Sequence, residues 1–422
     1  MLPSPALAAE EGNERVAYEV ADIVRAYGAE FVRTHPTSAL QRRVLRAIVS
    51  CRTAVLGGHV EGCDRCGYRR IAYNSCRNRN CPKCLGTQSA RWMAAEEAML
   101  LPVPYFHVVF TLPHQLHALV RGNRRRLYAL LFRCAARTLR TFARDPHYLG
   151  AEPAITMVLH TWGQTLTEHF HVHCVVSGGG LARDGTAWIS LPKGKKKRRR
   201  PFLFPVAALS KVFRGKYIDA LKRARRTGAV RFVGQSAALA DPVRWQQLID
   251  TLEATDWVVY CKPPCGGPAQ VLKYLSRYTH RVAIANRRLL FVGDGVVRFV
   301  YRDYADHHRV KELTLAATEF LRRFLLHVLP PGFMRLRHYG ITANCQRART
   351  LQRCRELLGI AAAGTTTADL PPPTAAPGTA TASPDCSATL CPNCGAPLQI
   401  IEILAATPTK PLALTPRTLD TS

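Results

Sequence analysis

Three histidines occupy every second position of an apolar run, His-Phe-His-Val-His-Cys-Val-Val, at residues 169–176. This alternation predicts a β-strand, in which alternate side chains point to one face, so His169, His171 and His173 should lie side by side. A rigid strand fixes the separation of neighbouring imidazoles, and imidazole is a common ligand of divalent metal ions. The run therefore predicts a metal site, and the glycines at 178–180 are expected to end its strand.

A further ligand is expected from a neighbouring strand or turn. Residues 154–160 are also rich in β-formers and are followed by a turn that contains Gly163, so the two runs should pair as antiparallel strands. This pairing makes His160, Gln164 and Glu168 candidates, and His169 is another. The sequence alone does not choose among them.

Two Cys-x-x-Cys pairs form a second pattern with chemical meaning. Cys63 and Cys66 are separated from Cys81 and Cys84 by fourteen residues. Four thiolates supplied as two such pairs are the usual ligands of a tetrahedral structural zinc ion, and this spacing is specific. We therefore predict one Zn²⁺ site made of these four cysteines.

Other residues could extend the zinc chemistry. His59 and Cys76 could belong to a second site or replace one of the four cysteines, but ordinary packing or exposure in a loop accounts for them equally well. Cys51 is a further candidate. Near the C-terminus, Cys391 and Cys394 form half of a zinc knuckle, which is a weak signal without a second pair close by. Two interpretations stay open: the half knuckle is vestigial, or Cys345 and Cys354 complete it.

The chain is strongly basic. Its 422 residues include 59 Lys and Arg against 29 Asp and Glu, a formal net charge of +30. Such a balance predicts a polyanionic partner, with nucleic acid the leading candidate and an anionic membrane surface the rival. No apolar run is long enough to span a bilayer, and residues 1–12 lack the pattern of a signal peptide. The 15 cysteines then indicate metal thiolates in a reducing compartment rather than disulfides.

Two basic segments are expected to contact DNA. Arg77 and Arg79 lie among tyrosines between the two cysteine pairs, a mixture that suits contacts to backbone and bases. Residues 193–200 are almost all Lys or Arg and cannot pack in a core, so we interpret them as a mobile loop that clamps DNA without sequence specificity. The residues assigned to this clamp are Lys195, Lys196, Lys197 and Arg198.

A pair of tyrosines is the last candidate for chemistry. Tyr274 and Tyr278 lie four residues apart in 269–280, which is predicted to be helical, so both phenols fall on one face. Arg277 and Arg281 are close enough to bind a phosphate beside them. Two tyrosines on a helix are usually packing residues. In a basic chain with a metal strand, however, they suggest attack of a phenolate on a DNA phosphodiester.

The elements that must position these residues follow from periodicity and capping residues. Helices are predicted over 14–34, from Ser38 to about 48, and over 88–100, 114–143, 206–226, 269–280 and 313–329, with another beginning at Pro242. Strands are predicted over 105–112, 154–160, 169–176, 231–233 and 256–261, with a hairpin over 288–301. Residues 334–358 should be partly helical. The strand 105–112 is expected beside the histidine strand.

The sequence resembles the HUH endonuclease superfamily and is similar to the two-tyrosine rolling-circle transposases of the IS91 group of bacterial insertion sequences. The resemblance covers most of residues 40–350 and rests on the segments 51–59, 73–84, 169–176 and 274–283. It implies that His171 and His173 hold a catalytic Mg²⁺ or Mn²⁺ ion and that Tyr274 and Tyr278 are the nucleophiles. It also implies an N-terminal zinc domain that helps to recognise the end of the element.

The fold implied by the resemblance is α+β, with a central antiparallel sheet flanked by helices after a small helical and zinc-ribbon-like domain. We expect N-terminal helices in 1–50, the zinc domain in 51–100, and the catalytic domain in 101–350 with a basic insertion at about 190–230. Residues 361–384 are rich in Ala, Thr and Pro, so 351–422 is expected to be a flexible, disordered tail that carries the half knuckle.

The activity implied by the resemblance is cleavage of single-stranded DNA at the element's end through a 5′-phosphotyrosine, followed by strand transfer. The partners are then element ends and target DNA, in the bacterial cytoplasm at the nucleoid. Two alternatives stay open. One is a zinc-dependent hydrolase that uses the histidine strand to activate water. The other is a non-enzymatic zinc protein that binds DNA.

Overall fold

The structure is a computed structural model that describes residues 18–84, 96–191, 203–262, 283–360 and 389–407. Its helices in these ranges are α1 Val20–Thr34, α2 Ala39–Ser50, α3 His117–Gly122, α4 Arg124–Arg144, α5 Val206–Arg226, α6 Pro242–Ala254, α7 Ala317–Leu326 and α8 Arg347–Leu357. The strands are β1 Gly58–Gly62, β2 Arg69–Tyr73, β3 Tyr105–Thr111, β4 Glu152–Trp162, β5 Glu168–Leu181, β6 Trp188–Ser190, β7 Val259–Lys262, β8 Leu289–Gly293, β9 Val296–Asp303, β10 Arg309–Ala316, β11 Leu336–Gly340 and β12 Gln399–Leu404.

A central antiparallel sheet organises the described chain. Its strands follow the order β11-β4-β5-β3-β7, and β6 pairs with the far end of β5. Strand β5 carries the three histidines, and β3 and β4 pair with it on either side. The expected α+β fold, with a histidine strand inside an antiparallel sheet and 105–112 beside it, is therefore confirmed.

The two faces of this sheet differ in chemistry. On one face, rows of apolar side chains run across β4, β5 and β3, such as Leu159, Val172 and Phe110, and they pack against α4 and α5 in the main core. Burial of each such side chain stabilises the fold by about 1.5–3 kcal/mol. Alternation then turns the intervening residues to the other face, where His160, His171 and Thr111 form one row.

A second core joins the N-terminal helices to a small sheet. Helices α1 and α2 pack with α7 and with the sheet β10-β9-β8, and the buried thiols of Cys51, Cys81 and Cys84 belong to this core. Helix α2 begins as predicted, because the Ser38 hydroxyl accepts a hydrogen bond from the amide of Gln41 at 3.2 Å. The predicted hairpin over 288–301 is also present as β8 and β9.

The N-terminal cysteine segment folds as a third sheet. Strands β1 and β2 form a hairpin, and β12, near the C-terminus, pairs with the other edge of β1. Within the stretch expected as a tail, residues 389–407 thus complete a sheet that begins more than three hundred residues earlier. Among the described residues, no helix combines the length and the apolar composition that crossing a bilayer requires.

Several boundaries differ from the sequence predictions. The helix predicted over 114–143 is interrupted at Asn123, whose φ of −134° is not helical. The helix predicted over 313–329 begins only at Ala317, because the alternating residues 309–316 pair with β9 as a strand. The predicted strand 231–233 is absent from the described structure. The strand predicted over 256–261 is shorter and ends one residue later, at Lys262.

The glycines at 178–180 do not end the histidine strand, which continues to Leu181. A Cβ atom at Gly180 would lie 2.6 Å from the carbonyl oxygen of Glu152 on β4, and one at Gly179 would lie 2.8 Å from the ring of Trp188 on β6. The glycines therefore let β4, β5 and β6 approach closely. Of the expected basic insertion, residues 206–226 form α5, which packs in the main core.

The side chain of Asn123 joins two distant segments, and this contact generates a prediction. Its Oδ1 accepts the amide of Arg231 at 2.8 Å, while its Nδ2 donates to the carbonyls of Arg231 at 2.7 Å and Leu119 at 3.0 Å. Asn123→Ala should lower the free energy of unfolding by about 3 kcal/mol, because each buried backbone group left unpaired costs about 1–3 kcal/mol. Urea denaturation followed by circular dichroism measures the change.

The matched control for this prediction is Asn344→Ala, which removes an exposed amide that contacts Arg347 at the surface. It should change the free energy of unfolding by less than about 0.5 kcal/mol. Equal effects of the two substitutions would contradict the role assigned to Asn123.

Candidate active site and metal centres

Three buried histidines meet on the polar face of the central sheet. His160 on β4 pairs in register with His171 on β5, and His173 follows two residues later on the same face. Ring nitrogens of all three lie within 4.8 Å of one another, and the Nε2 atoms of His171 and His173 are 3.0 Å apart. This arrangement, hereafter the histidine cluster, brings three possible metal ligands to one point.

Contacts at the Nδ1 atoms orient the rings of His171 and His173. The Nδ1 of His171 donates to its neighbour's backbone, the carbonyl oxygen of His169, at 2.8 Å, so a neutral His171 ring keeps its lone pair on Nε2. The Nδ1 of His173 lies 2.9 Å from Nε2 of His107 on β3. Metal-ligating histidines are typically held in this way, with the second nitrogen bonded to a carbonyl or a neighbouring group.

Burial favours the neutral form of His171 and His173. Loss of solvation lowers the pKa of His171 and His173 well below the usual value, and the nearby His160 lowers both further. Burial together with the charge of Lys262 lowers the pKa of His107 to about 3. Neutral imidazole is the form that binds metal, so the three residues fit a divalent ion. A set of imidazole donors suits Mn²⁺ or a similar transition ion better than Mg²⁺, which prefers oxygen ligands.

The structure distinguishes among the candidates for the third position. His160 lies in the cluster, whereas the side chain of Glu168 pairs with Arg121 at 2.6 Å. The amide of Gln164 donates to the hydroxyl of Tyr304 at 3.2 Å, and the side chain of His169 is exposed at the end of the row. Gln164 and His169 were expected as possible ligands, but neither joins the cluster. The register of β4 against β5 selects His160 as the third residue, because it sets His160 opposite His171.

Eight cysteines form two separate clusters. The first, hereafter the core cysteine cluster, consists of Cys51, Cys76, Cys81 and Cys84, with the sulfurs of Cys51 and Cys76 each 3.4 Å from that of Cys84. The second consists of Cys63, Cys66, Cys391 and Cys394. In both groups the four sulfurs lie within 4.8 Å of one another. Four thiols at this separation fit a tetrahedral zinc ion.

The predicted set of four cysteines is therefore not brought together. Cys63 and Cys66 lie in one cluster, and Cys81 and Cys84 lie in the other. The structure brings Cys76 into the core cysteine cluster. His59 instead pairs with Glu61 at 3.3 Å and joins neither group. The half knuckle at 391–394 is completed by Cys63 and Cys66 and not by Cys345 and Cys354. Three Cys-x-x-Cys pairs already indicate more than one site, because one four-ligand site cannot accommodate them all.

The pKa values of neighbouring thiols in the core cysteine cluster shift in opposite directions. Hydrogen bonding from Cys81 lowers the pKa of Cys76 to about 5, whereas burial raises the pKa of Cys51 to about 11. Helix α2 and strand β2 position two of its four cysteines, because Cys51 is the C-cap residue of the helix and Cys76 comes shortly after the strand. The cluster therefore ties the N-terminal helices to the cysteine segment.

The residues expected to contact DNA are only partly described. Arg77 is exposed, with a left-handed φ of 51°, and so remains a candidate. Arg79 instead donates to the carbonyls of Phe333 at 2.8 Å and Pro330 at 3.0 Å, so its guanidinium serves a structural contact. The predicted clamp residues Lys195, Lys196, Lys197 and Arg198 lie outside the described residues. Tyr274, Tyr278, Arg277 and Arg281 also lie outside them.

The two arginines allow a paired prediction. Arg79→Ala should lower the free energy of unfolding by about 3 kcal/mol or more, because the carbonyls at 330 and 333 each lose a charged hydrogen bond worth about 1.5–3 kcal/mol. Arg77→Ala, on an exposed side chain in the same loop, should leave stability within about 0.5 kcal/mol of the original. Thermal unfolding of both variants tests this, and equal losses would contradict the assignment.

Comparison with known proteins identifies the family. Residues 23–112 match a family model described as "Transposase zinc-binding domain", and residues 154–349 match one described as "Putative transposase". A relative named "Putative transposase y4qJ", from Sinorhizobium fredii, is 50% identical over 343 residues, which cover 81% of this chain and 84% of the relative. The "Transposase for insertion sequence element IS801" of Pseudomonas savastanoi pv. phaseolicola is 29% identical over 322 residues, 76% of this chain and 74% of the relative.

Among solved structures, the chain is similar to TrwC complexed with a 27-mer DNA comprising the recognition hairpin and the cleavage site. That similarity covers 41% of this chain and 71% of the TrwC chain at 16% identity, with a TM-score of 0.20. The two family models and the 50% identical relative show the family to which this chain belongs. The chain belongs to the IS91-type rolling-circle transposases.

Proposed function

We propose that this transposase is an HUH-type nuclease that cleaves single-stranded DNA at the end of its element through a covalent tyrosine intermediate. The observation that carries the proposal is the histidine cluster, whose three buried rings lie close together on one face of an antiparallel sheet. Tyr274 and Tyr278 are assigned as nucleophiles from the sequence. The histidine pair of the HUH motif corresponds to His171 and His173.

Two residues that flank the tyrosine segment in the sequence support this assignment. On the N-terminal side, Lys262 pairs in register with His107, and His107 contacts His173 at 2.9 Å. On the C-terminal side, Ala283 lines a small cavity together with Trp162. The ring of Trp162 stacks on His160 with centroids 4.8 Å apart. Both flanking residues therefore lie beside residues that contact the histidine cluster.

His160, His171 and His173 would hold the divalent ion. When bound, such an ion withdraws charge from the scissile phosphate and so offsets the negative charge that develops during attack. The protein's own contribution is positional. The β4–β5 pairing fixes the three ring planes, and the hydrogen bonds to the carbonyl of His169 and to His107 keep the donor nitrogens aimed inward.

The proposed reaction conserves the energy of the phosphodiester. The phenol oxygen bonds to phosphorus, the bond from phosphorus to the 3′-oxygen breaks, and that oxygen leaves as a hydroxyl after it takes up the phenol's proton. A 3′-hydroxyl of another strand can then attack the phosphotyrosine, which restores a phosphodiester and frees the phenol. Tyr274 and Tyr278 would lie one turn apart in the helix that the sequence predicts, and a second tyrosine would allow a second strand to be held at the same time.

Covalent capture tests the nucleophiles. The full-length protein is incubated with Mn²⁺ and single-stranded oligonucleotides that tile both flanks of its gene, and denaturing gels report protein–DNA adducts. We expect an adduct whose DNA-linked peptide, identified by mass spectrometry, contains residue 274 or 278. The combined change Tyr274→Phe and Tyr278→Phe should abolish it, because no phenol is left to attack.

Tyr304→Phe is the matched control, since Tyr304 is exposed and bonded to Gln164 rather than placed at the histidine cluster. It should form the adduct at the original rate. An adduct that persists in the double phenylalanine variant would refute the assignment. Binding of the oligonucleotides without any adduct would favour a non-enzymatic DNA-binding protein.

A second test concerns the third histidine. His160→Ala should reduce cleavage by at least about 100-fold, because even outer contacts of a metal site are worth about 10–100-fold. It should also weaken Mn²⁺ binding measured by calorimetry while leaving DNA binding in gel-shift assays unchanged. His169→Ala keeps the backbone carbonyl that orients His171 and should stay within a few-fold of the original activity. Unchanged cleavage by His160→Ala would exclude it as a ligand.

A further inference from the structure

The second cysteine cluster is built from two matching turns at opposite ends of the chain. Cys63 and Cys66 lie in the connection 63–68, which follows the paired residues Gly62 and Arg69 of the β1–β2 hairpin. Cys391 and Cys394 lie in the connection 391–396, which is flanked by the bridged residues Leu390 and Pro397. Each pair of cysteines therefore occupies the tip of a hairpin with a loop of the same length.

The backbone hydrogen bonds of the two tips are equivalent. In the first, the amide of Gly67 donates to the carbonyl of Cys63 at 2.9 Å, and the amide of Cys63 donates to the carbonyl of Tyr68 at 2.9 Å. In the second, the amide of Gly395 donates to the carbonyl of Cys391 at 2.9 Å, and the amide of Cys391 donates to the carbonyl of Ala396 at 2.7 Å.

The two glycines have the same special conformation. Gly67 and Gly395 adopt φ values of 70° and 71°, in the left-handed region that favours glycine. Because the same turn occurs in two segments that are distant in the sequence, the two turns are expected to serve the same function.

The two tips face each other. The sulfur of Cys63 lies 3.4 Å from that of Cys394, and the sulfur of Cys66 lies 3.5 Å from that of Cys391. These distances are too long for disulfides, which join sulfurs at about 2.0 Å. They approach the edge of about 3.8 Å expected between thiolates that share a tetrahedral zinc ion with bonds of about 2.3 Å.

We propose that Cys63, Cys66, Cys391 and Cys394 form a second zinc site, which fastens the C-terminal segment 389–407 to the N-terminal hairpin. This terminal clasp is separate from the core cysteine cluster and does not depend on the proposed DNA cleavage. Residues 389–407 lie beyond both matched family regions, which end at 112 and 349.

Other contacts of the segment align it but bury little apolar surface. Strand β12 pairs with β1, and the amide of Thr407 donates to the carbonyl of Ala54 at 3.0 Å. The isoleucines of β12 remain largely in solvent, with Ile400 63% and Ile403 83% exposed. A short strand with so little apolar burial is weakly held by pairing alone. Metal ligation therefore supplies the stability that this attachment lacks.

Zinc counting in paired variants tests the clasp. The full chain is purified in several forms, and its zinc content is measured by plasma mass spectrometry. Cys391→Ser with Cys394→Ser should carry one zinc ion fewer per chain than the original protein, and so should Cys63→Ser with Cys66→Ser. The quadruple variant should also lose only one, because both halves serve the same ion. Cys345→Ser, on an exposed cysteine outside both clusters, is the control and should lose none.

The competing arrangement gives a different result. If Cys63 and Cys66 instead shared an ion with Cys81 and Cys84, the change at 391 and 394 would leave the zinc content unaltered, and the clasp would be refuted. Losses that add in the quadruple variant would likewise refute a shared site. Far-UV circular dichroism of each variant identifies any that fail to fold, and the nicked protein described next then decides the question.

A nicked protein tests attachment directly. A protease recognition sequence inserted between residues 370 and 380 allows the folded full chain to be cut, after which gel filtration shows whether the C-terminal fragment stays bound. We expect it to stay in the presence of zinc and to leave after treatment with a chelator. A fragment that leaves in the presence of zinc, or one that stays after complete zinc removal, would overturn the proposal.

Discussion

The register of β4 against β5 is the constraint on which the candidate active site depends. It sets His160 on β4 opposite His171 on β5. Together with His173, these two residues form one group of possible ligands. A shift by a single residue would rotate the whole β4 pattern, so that His160 would enter the main core and Leu159 would face the cluster. The apolar rows on the opposite face, packed against α4 and α5, resist that shift. Core packing and site geometry are thus two consequences of one pairing.

The cysteine clusters connect parts of the chain that are distant in the sequence. The core cysteine cluster lies within the second core, where the N-terminal helices meet α7 and the small sheet β10-β9-β8. Arg79, from the same segment, donates to the carbonyls of residues 330 and 333, near the end of the region that matches the putative-transposase model. The zinc-binding segment is therefore integrated with the fold on two sides and is not an independent module on a linker.

Sequence patterns predicted most of what depends on local order. Alternation identified β3, β4 and β5, the Ser38 cap placed the start of α2, and the histidine run indicated the face that carries the site. The sequence predictions were wrong where a contact with a residue far away in the sequence determines the local structure. Asn123 ends a helix because it bonds to Arg231, residues 309–316 form a strand because β9 lies beside them, and the glycines 178–180 extend a strand because two others approach it. Likewise, Cys63 and Cys66 could not be paired correctly from spacing, because Cys391 and Cys394 lie 325 residues or more away.

The position of β12 has a consequence for how the protein is made. The ribosome completes β1 and β2 long before Gln399–Leu404 emerges, and at about 10 residues per second the interval is roughly half a minute. During that time β1 presents an uncovered edge, which is a template for pairing with other nascent chains. A message cut short anywhere before codon 389 would leave that edge uncovered for good. Copies of the transposase that end before β12 should therefore be prone to aggregate through this edge, whereas full-length copies cover it.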